Sequence, residues 1–418
     1  MLSRVLTHFQ TGLLLAVVVL CVSPIALPDL LGLGSHLSWA LVALGASVAI
    51  CVPELLRGGW TPTRLDPVLA LYVVLVGAGG LASVDGWQTI KASTLLAGDV
   101  GLFYAAVVVA RRSTRGAAGV LSVLIVGAAA IELAALAYHI EAGIRSRPAV
   151  YPIPEGWSGY PELGSLAVLQ LGAIAGLVIG AERAARKIPA AVLGLVAAAE
   201  ILLLYSRGAW AAAGVIVLAG VPLARASKRT LLLLGAALVF VAGMVIALSP
   251  TIRFLADNAL TGRTDRAVEG AAIGAAAPEY RFQIWGKTLG MIRDRPWTGV
   301  GLGNFRSVFE RDYNPELNND QRRGVHAHNL WLHTAADVGI PAAVCYVAFW
   351  VGALWIAGRS AVRRRSVVTL GVFLAIVGAA ASNLTDSVPS QTAGTRVFLL
   401  TWVLLGLGAA APPDPPEP

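Results

Sequence analysis

Apolar stretches of about twenty residues, each long enough to cross a hydrocarbon core of roughly 30 Å, follow one another along almost the whole chain. In lipid no water satisfies a backbone N–H or C=O, so each stretch must close its own hydrogen bonds as a helix. The pattern predicts an all-α polytopic membrane protein of about 12 transmembrane helices. They fall near residues 9–29, 37–55, 66–83, 91–110, 117–139, 162–181, 188–205, 208–223, 230–249, 336–357, 367–385 and 393–411. With 56% hydrophobic and 13% charged residues among 418, little is left for a soluble domain. Residues 1–411 read as a single integral membrane domain that contains one large loop, 250–335, and the proline-rich tail 412–418 is expected to be disordered.

The narrowest junction is Ser206-Arg207-Gly208, where two spans meet almost without a linker. Charge decides between two spans and one long kinked helix. Lys and Arg fall at alternate loops: Arg4; Arg57 and Arg64; Arg111, Arg112 and Arg115; Arg183, Arg186 and Lys187; Arg225, Lys228 and Arg229; Arg359, Arg363, Arg364 and Arg365. Such clusters stay on the cytoplasmic side, so both termini and the tail are expected there. Merging the two spans would put 183–187 and 225–229 on opposite faces. About half of the basic residues are accounted for in this way, and the others gather outside, mostly at 250–327. The formal charge of +8 therefore does not point to nucleic acid, and the external excess calls for another reason. Cys21, Cys51 and Cys345 all lie in apolar stretches, so no disulfide framework is indicated. Arg4 ahead of a hydrophobic run has a signal-peptide character, but with further spans following, the first span reads as a retained helix.

Within the loop, 281–294 places Phe282, Trp285, Leu289 and Ile292 at helical spacing, which predicts an amphipathic helix lying on the membrane surface. Arg281, one turn before Trp285, projects from near the same face. There it either anchors the helix end to lipid phosphates or binds a ligand. The helix then ends in Asp294-Arg295-Pro296-Trp297-Thr298-Gly299-Val300-Gly301-Leu302-Gly303. This glycine run is no dinucleotide fingerprint, because no strand precedes it; it reads as a tight turn bringing backbone close to the membrane. Arg322 and Arg323 follow, and then His326-Ala327-His328-Asn329.

Arginines and a histidine at a membrane surface suit transfer from a phosphorylated lipid. Arginine makes bidentate, permanently charged contacts to phosphate, and a pyrophosphate leaving group needs its developing charge neutralised. A neutral histidine takes the proton from an attacking hydroxyl. Arg207 stands at the outer end of two spans between Tyr205 and Trp210, where an arginine either serves function or snorkels to headgroups. Arg281 and the pair Arg322 and Arg323 are the other candidates. Metal binding competes as an account of His326, His328 and His333, but no cysteine is near and Asp337 is the only close carboxylate downstream, so a full coordination sphere is hard to assemble. His333 is expected to cap or pack at the start of the tenth span. Asp386 is either a partner for an arginine or histidine or a helix cap.

Together these residues resemble the O-antigen ligase and O-antigen polymerase superfamily of bacterial envelope glycosyltransferases. The resemblance rests on Ser206-Arg207-Gly208, Arg281-x-x-x-Trp285, Asp294-x-Pro296-x-x-Gly299-x-Gly301 and His326-x-His328-Asn329. The ligase pattern has His-Asn, nine residues, Gly, two residues and then Gly, Thr or Tyr. Here Gly339 fits and the last position is Ala342, a departure that narrows the preference for ligase over polymerase. Residues 1 to about 200 match only in hydropathy.

The resemblance implies a C-type glycosyltransferase-like fold in the bacterial inner membrane with a periplasmic active site. It implies transfer of a glycan from undecaprenyl pyrophosphate to a hydroxyl of the lipid A core in lipopolysaccharide biosynthesis, inverting, metal-independent and without cofactor. It makes His328 the catalytic base and Arg207 and Arg281 the pyrophosphate ligands; His326, Asn329, Trp285, Asp386, Arg322 and Arg323 are the supporting candidates that the residues themselves suggest. A polymerase would take a second lipid-linked glycan as acceptor. A transporter or lipid flippase is the reading of another class; against it stand the absence of a paired half-repeat and of a mid-membrane charged site.

Overall fold

The computed structural model describes residues 2–23, 35–60, 62–141, 160–204, 206–224, 278–315, 326–385 and 395–410. Regular structure among them is helical: α1 (Leu2–Cys21), α2 (Ser35–Leu56), α3 (Asp66–Gly80), α4 (Gly86–Arg112), α5 (Thr114–Glu141), α6 (Tyr160–Gly180), α7 (Ala184–Leu203) and α8 (Arg207–Ala224), then α9 (Pro278–Asp294), the short α10 (Phe305–Val308) running into a π-helical turn (Phe309–Tyr313), α11 (Leu330–Arg364), α12 (Val367–Ser382) and α13 (Thr395–Ala409). Six of them, α1, α2, α4, α5, α6 and α11, are long and apolar enough to cross a membrane, and α3, α8, α12 and α13 are shorter apolar helices. The chain is a helical polytopic membrane protein.

Eleven predicted spans fall on these helices, and the one at 230–249 lies outside the described residues. The junction at Ser206 separates two helices. Leu204 closes α7, and Ser206 caps α8 by accepting from the Ala209 N–H at 3.3 Å through Oγ and from the Trp210 N–H at 3.0 Å through its carbonyl. The tenth predicted span is longer than its apolar core, running from Leu330 to Arg364 instead of 336–357. Asn329 caps its start, and Arg365, in the left-handed region at φ 50°, ends it.

Small residues let the helices approach closely. On α6, Gly172, Gly176 and Gly180 share one face, and a Cβ on Gly176 would stand 2.1 Å from the Gly371 nitrogen of α12. Such backbone contact gives dispersion and weak polar contacts where lipid offers no hydrophobic drive. Elsewhere bulk fills the core: Phe103, Phe349, Trp350 and Trp402 are fully buried, with the Phe349 and Trp402 rings stacked at 5.2 Å.

The bundle has two distinct ends. At one, the last turns of α2 and α4 meet through Arg112 and Glu54, Arg111 donates to the Pro62 carbonyl before α3, and Arg365 donates to Leu223 at the end of α8. Arg57, Arg64, Arg115, Arg183, Arg363 and Arg364 gather at this end, as the alternation of charged loops predicts. The starts of α4, α8 and α11 and the end of α12 lie at the other.

One expectation fails. Acidic side chains are present inside the helices: Asp99 of α4, Glu132 of α5 and Glu200 of α7 are all buried. Each is a single acid in a window of aliphatic residues, which leaves mean hydropathy high and hides it from a search for spans.

Candidate active site at the end of α12

The segment that follows α12 joins parts of the chain that are far apart in sequence. The Leu330 N–H donates to the Asn383 carbonyl at 3.0 Å, and Asn329 Nδ2 donates to the Leu384 carbonyl at 3.1 Å. Asn329 Oδ1 in turn accepts from the Leu332 N–H at 3.0 Å, which makes this residue the N-cap of α11 as well as its tie to α12. On the other flank a Cβ on Gly208 would lie 2.2 Å from Thr385 Oγ1. Glycine is therefore what lets the first turn of α8, opened by Arg207, press against the same segment. Ser206-Arg207-Gly208 and His328-Asn329 share one end of one helix.

A third part arrives from α9. Trp285 Nε1 donates to the Ala327 carbonyl at 2.8 Å, between the two histidines, and half-buried Arg281 stands one turn earlier. The buried face of α9 carries Ile284, Thr288 and Met291 together with Ile292 of the predicted apolar stripe, while Phe282 and Leu289 of that stripe are exposed. Two apolar stripes run along this helix, and periodicity alone does not say which one meets protein. The far end of α9 is clasped to the π-helical turn by Tyr313, whose hydroxyl donates to Asp294 at 2.7 Å. Partial burial first, and then this bond, push the phenol up to about 12. The clasp is thus complete below the ordinary phenol range near 10 and is lost as pH rises toward 12.

The glycine turn is a tight one, and its backbone packs on protein. Gly299, Gly301 and Gly303, at φ of 64°, 101° and 80°, lay their backbone against α11: Val300 donates to Ala336 at 3.0 Å and Gly301 to Asp337 at 2.8 Å. The Asp337 carboxylate accepts from the Gly303 N–H at 2.9 Å and the Phe305 N–H at 2.7 Å. Gly339 breaks the helix at φ 80°, ψ 166°, which frees the Ile340 N–H for the Pro296 carbonyl at 2.7 Å. The other side of the turn bonds to the start of α4, through Val84 N–H to Val300 at 3.0 Å and Asn304 Nδ2 to Thr89 at 2.8 Å. The spacing from His328-Asn329 to Gly339 is therefore the distance along α11 from its cap to the turn that braces it. A Cβ on Gly339 would meet the Trp297 carbonyl at 2.4 Å. Gly339→Ala is expected to destabilise the protein by about 2 kcal/mol or more, read as a lower midpoint of thermal unfolding in detergent.

The histidines stand above this brace. His328 itself is in the left-handed region, at φ 49°, unusual for a residue with a Cβ. Its ring centroid is 4.1 Å from that of His326, so the two imidazoles are in contact. His333 packs inside: its ring lies 4.4 Å from that of Phe305, with Nε2 3.7 Å from an Asp337 oxygen. Asp337 is committed to backbone amides, and among the described residues no group of three or more His, Cys, Asp or Glu side chains is placed to hold a metal ion. Arg322, Arg323 and Asp386 lie outside the described residues.

Residues 190–347 match the family model for O-antigen ligase. That stretch is similar to the O-antigen ligase family. It begins inside α7 and runs through α8, α9, the glycine turn and the histidines to the part of α11 beyond Gly339, so that Arg207, Arg281 and His328 all lie within it. The end of α12, which ties those parts together, lies beyond the matched stretch. No curated protein matches the chain.

Of the residues that shape the matched stretch, Phe305 carries no local signal for its ring contact with His333. The bracing role of Asp337 and Gly339 has one: a carboxylate followed by Gly339-Ile340-Pro341 within an apolar run marks a broken helix with free backbone groups to satisfy.

Proposed function

We propose that this chain is an envelope glycosyltransferase that moves a glycan from undecaprenyl pyrophosphate to an acceptor hydroxyl at the periplasmic face of the inner membrane, and that it acts as an O-antigen ligase with lipid A core as acceptor. The observation that carries this reading is the convergence of Arg207, the Trp285 turn of α9 and His328-Asn329 around the end of α12. A twelve-span, C-type glycosyltransferase arrangement, with the 250–335 loop bearing the site, accompanies the proposal.

In this mechanism the acceptor hydroxyl gives its proton to the neutral imidazole of His328. Its oxygen forms the new bond to the anomeric carbon from the side opposite the phosphate. The bond from that carbon to the phosphate oxygen breaks, and its electrons leave with undecaprenyl pyrophosphate, so configuration inverts. Arg207 and Arg281 neutralise charge that grows on the pyrophosphate as the bond lengthens. No metal is assigned a step. His326, in ring contact with His328, and Asn329, which fixes the start of α11, hold the base in place. The buried acids in α4, α5 and α7 would suit a carrier, but the similarity to the O-antigen ligase family favours transfer.

Deletion of the gene separates ligation from polymerisation. The expected result is uncapped core with full-length glycan polymer accumulating on the undecaprenyl carrier. Single repeat units attached to core would instead identify a polymerase, and an unchanged envelope glycan would overturn both.

A further inference from the structure

His333 is a polar ring held where a hydrocarbon side chain would pack at lower cost. Its backbone N–H donates to the Asn329 carbonyl at 2.9 Å, so it stands in the first turn of α11, and only 8% of its surface is exposed. Two residues fix the ring. Its centroid lies 4.4 Å from that of Phe305, and Asp337, one helical turn on, faces Nε2 at 3.7 Å. Both are themselves anchored: Phe305 stacks on Phe309 at 5.3 Å and donates its N–H to Asp337 at 2.7 Å, and Asp337 also accepts from the Gly303 N–H at 2.9 Å. A carboxylate facing Nε2 favours the tautomer with hydrogen there, which leaves Nδ1 as an acceptor. That Nδ1 is buried and meets no hydrogen-bond partner among the described residues. Leucine or phenylalanine would pack there without an unsatisfied nitrogen.

The titratable groups that bear on His333 are His326 and His328, from the segment that precedes α11, and Asp337 from its own helix. The α10 helix turns Phe305 to it and sends Arg306 outward to Glu310 at 3.0 Å, α9 brings Ile284 and Met291 into the same core, and Tyr72 of α3 is within electrostatic reach of Asp337. His326 and His328 are in ring contact with each other. An accepting nitrogen near them is placed for the step at which this pair carries an added proton. We propose that His333 is a positioning residue of the transfer site, its Nδ1 accepting from the imidazole pair once His328 has taken the proton of the attacking hydroxyl. This role rests on His328 being the base. The proton passes from the hydroxyl to His328 and is lost to water after the product leaves; His333 carries none of it, and Asp337 holds the tautomer.

Purified full-length wild type, His333→Phe, His333→Leu, His333→Asn and His328→Ala test it, through pH–rate profiles for transfer from undecaprenyl-pyrophosphate-linked glycan to lipid A core and the thermal midpoint of each sample. His328 acts while neutral, so the wild-type rate falls as pH falls. Removing a group that favours its protonated form makes it a weaker base. In His333→Phe and His333→Leu, kcat is therefore expected to drop by roughly 10- to 100-fold, the range for a hydrogen bond to a charged group, and the acid limb to move to lower pH by about one pH unit. His333→Asn puts a carbonyl oxygen near the position of Nδ1 and should recover part of both. A histidine kept for packing would instead lose activity in step with the thermal midpoint and leave the acid limb in place. An unmoved acid limb in the apolar variants, their failure to give folded protein, or an equal shift in all three variants overturns the role of His333. Undiminished transfer by His328→Ala overturns the reading of the base itself.

Discussion

Replacing His328 by alanine is expected to lower glycan transfer by roughly 10²- to 10⁴-fold, the range for loss of a positioned general base, while membrane insertion and fold persist. Fold should persist because the bonds that tie this corner to α9 and α12 run through its neighbours: Ala327 accepts from Trp285, Asn329 caps α11, and Leu330 bonds to Asn383. The left-handed backbone of His328 makes a sharper variant available. Asparagine tolerates that conformation well, so His328→Asn should keep the thermal midpoint of the wild type and still lose transfer. A residue kept only for packing would show the reverse, with activity falling in step with stability. Strain at φ 49° is thus best read as the cost of presenting this imidazole.

Arg281→Ala is the second large effect, roughly a 10²- to 10³-fold loss in kcat, comparable to removing one donor that stabilises developing charge. Arg281→Lys should recover only part of it, since an ammonium keeps the charge and gives up the planar fork that grips two phosphate oxygens. If the arginine only anchored α9 to lipid headgroups, lysine would replace it fully and alanine would act through stability. Kinetics in detergent with purified variants separate the two roles, with the thermal midpoint measured on the same samples. Trp285, one turn along, bears on the interpretation: its indole bond to Ala327 couples α9 to the histidine segment, so a shift of α9 would move both groups together.

Much of the architecture was legible because the hydrocarbon core imposes a single period and length on every span. The alternation of basic loops, which separated α7 from α8 at Ser206-Arg207-Gly208, survives in the structure as one end of the bundle rich in arginine. The site residues were legible as residue types, and His328, Asn329, Trp285 and the first turn of α8 do come together. What was not legible is backbone against backbone. Nothing local to Gly299, Gly301 and Gly303 tells that they meet Asp337 and Gly339, since the partner lies on another element and the contact uses amides that every residue has. Which apolar residues of α9 meet protein was not legible for a related reason: Phe282 and Leu289 are as apolar as Ile284 and Met291, and only the tertiary fold chooses between them. Asp99, Glu132 and Glu200 were missed because one acid hardly lowers the mean hydropathy of a whole span.

The most direct measurement of the central claim is transfer by purified protein supplied with undecaprenyl-pyrophosphate-linked glycan and lipid A core, with and without a chelator. The wild type should form the glycan–core product at the same rate in both, and His328→Ala should form essentially none. Undiminished product from the His328→Ala protein, or none from the wild type with authentic donor and acceptor, would contradict the account.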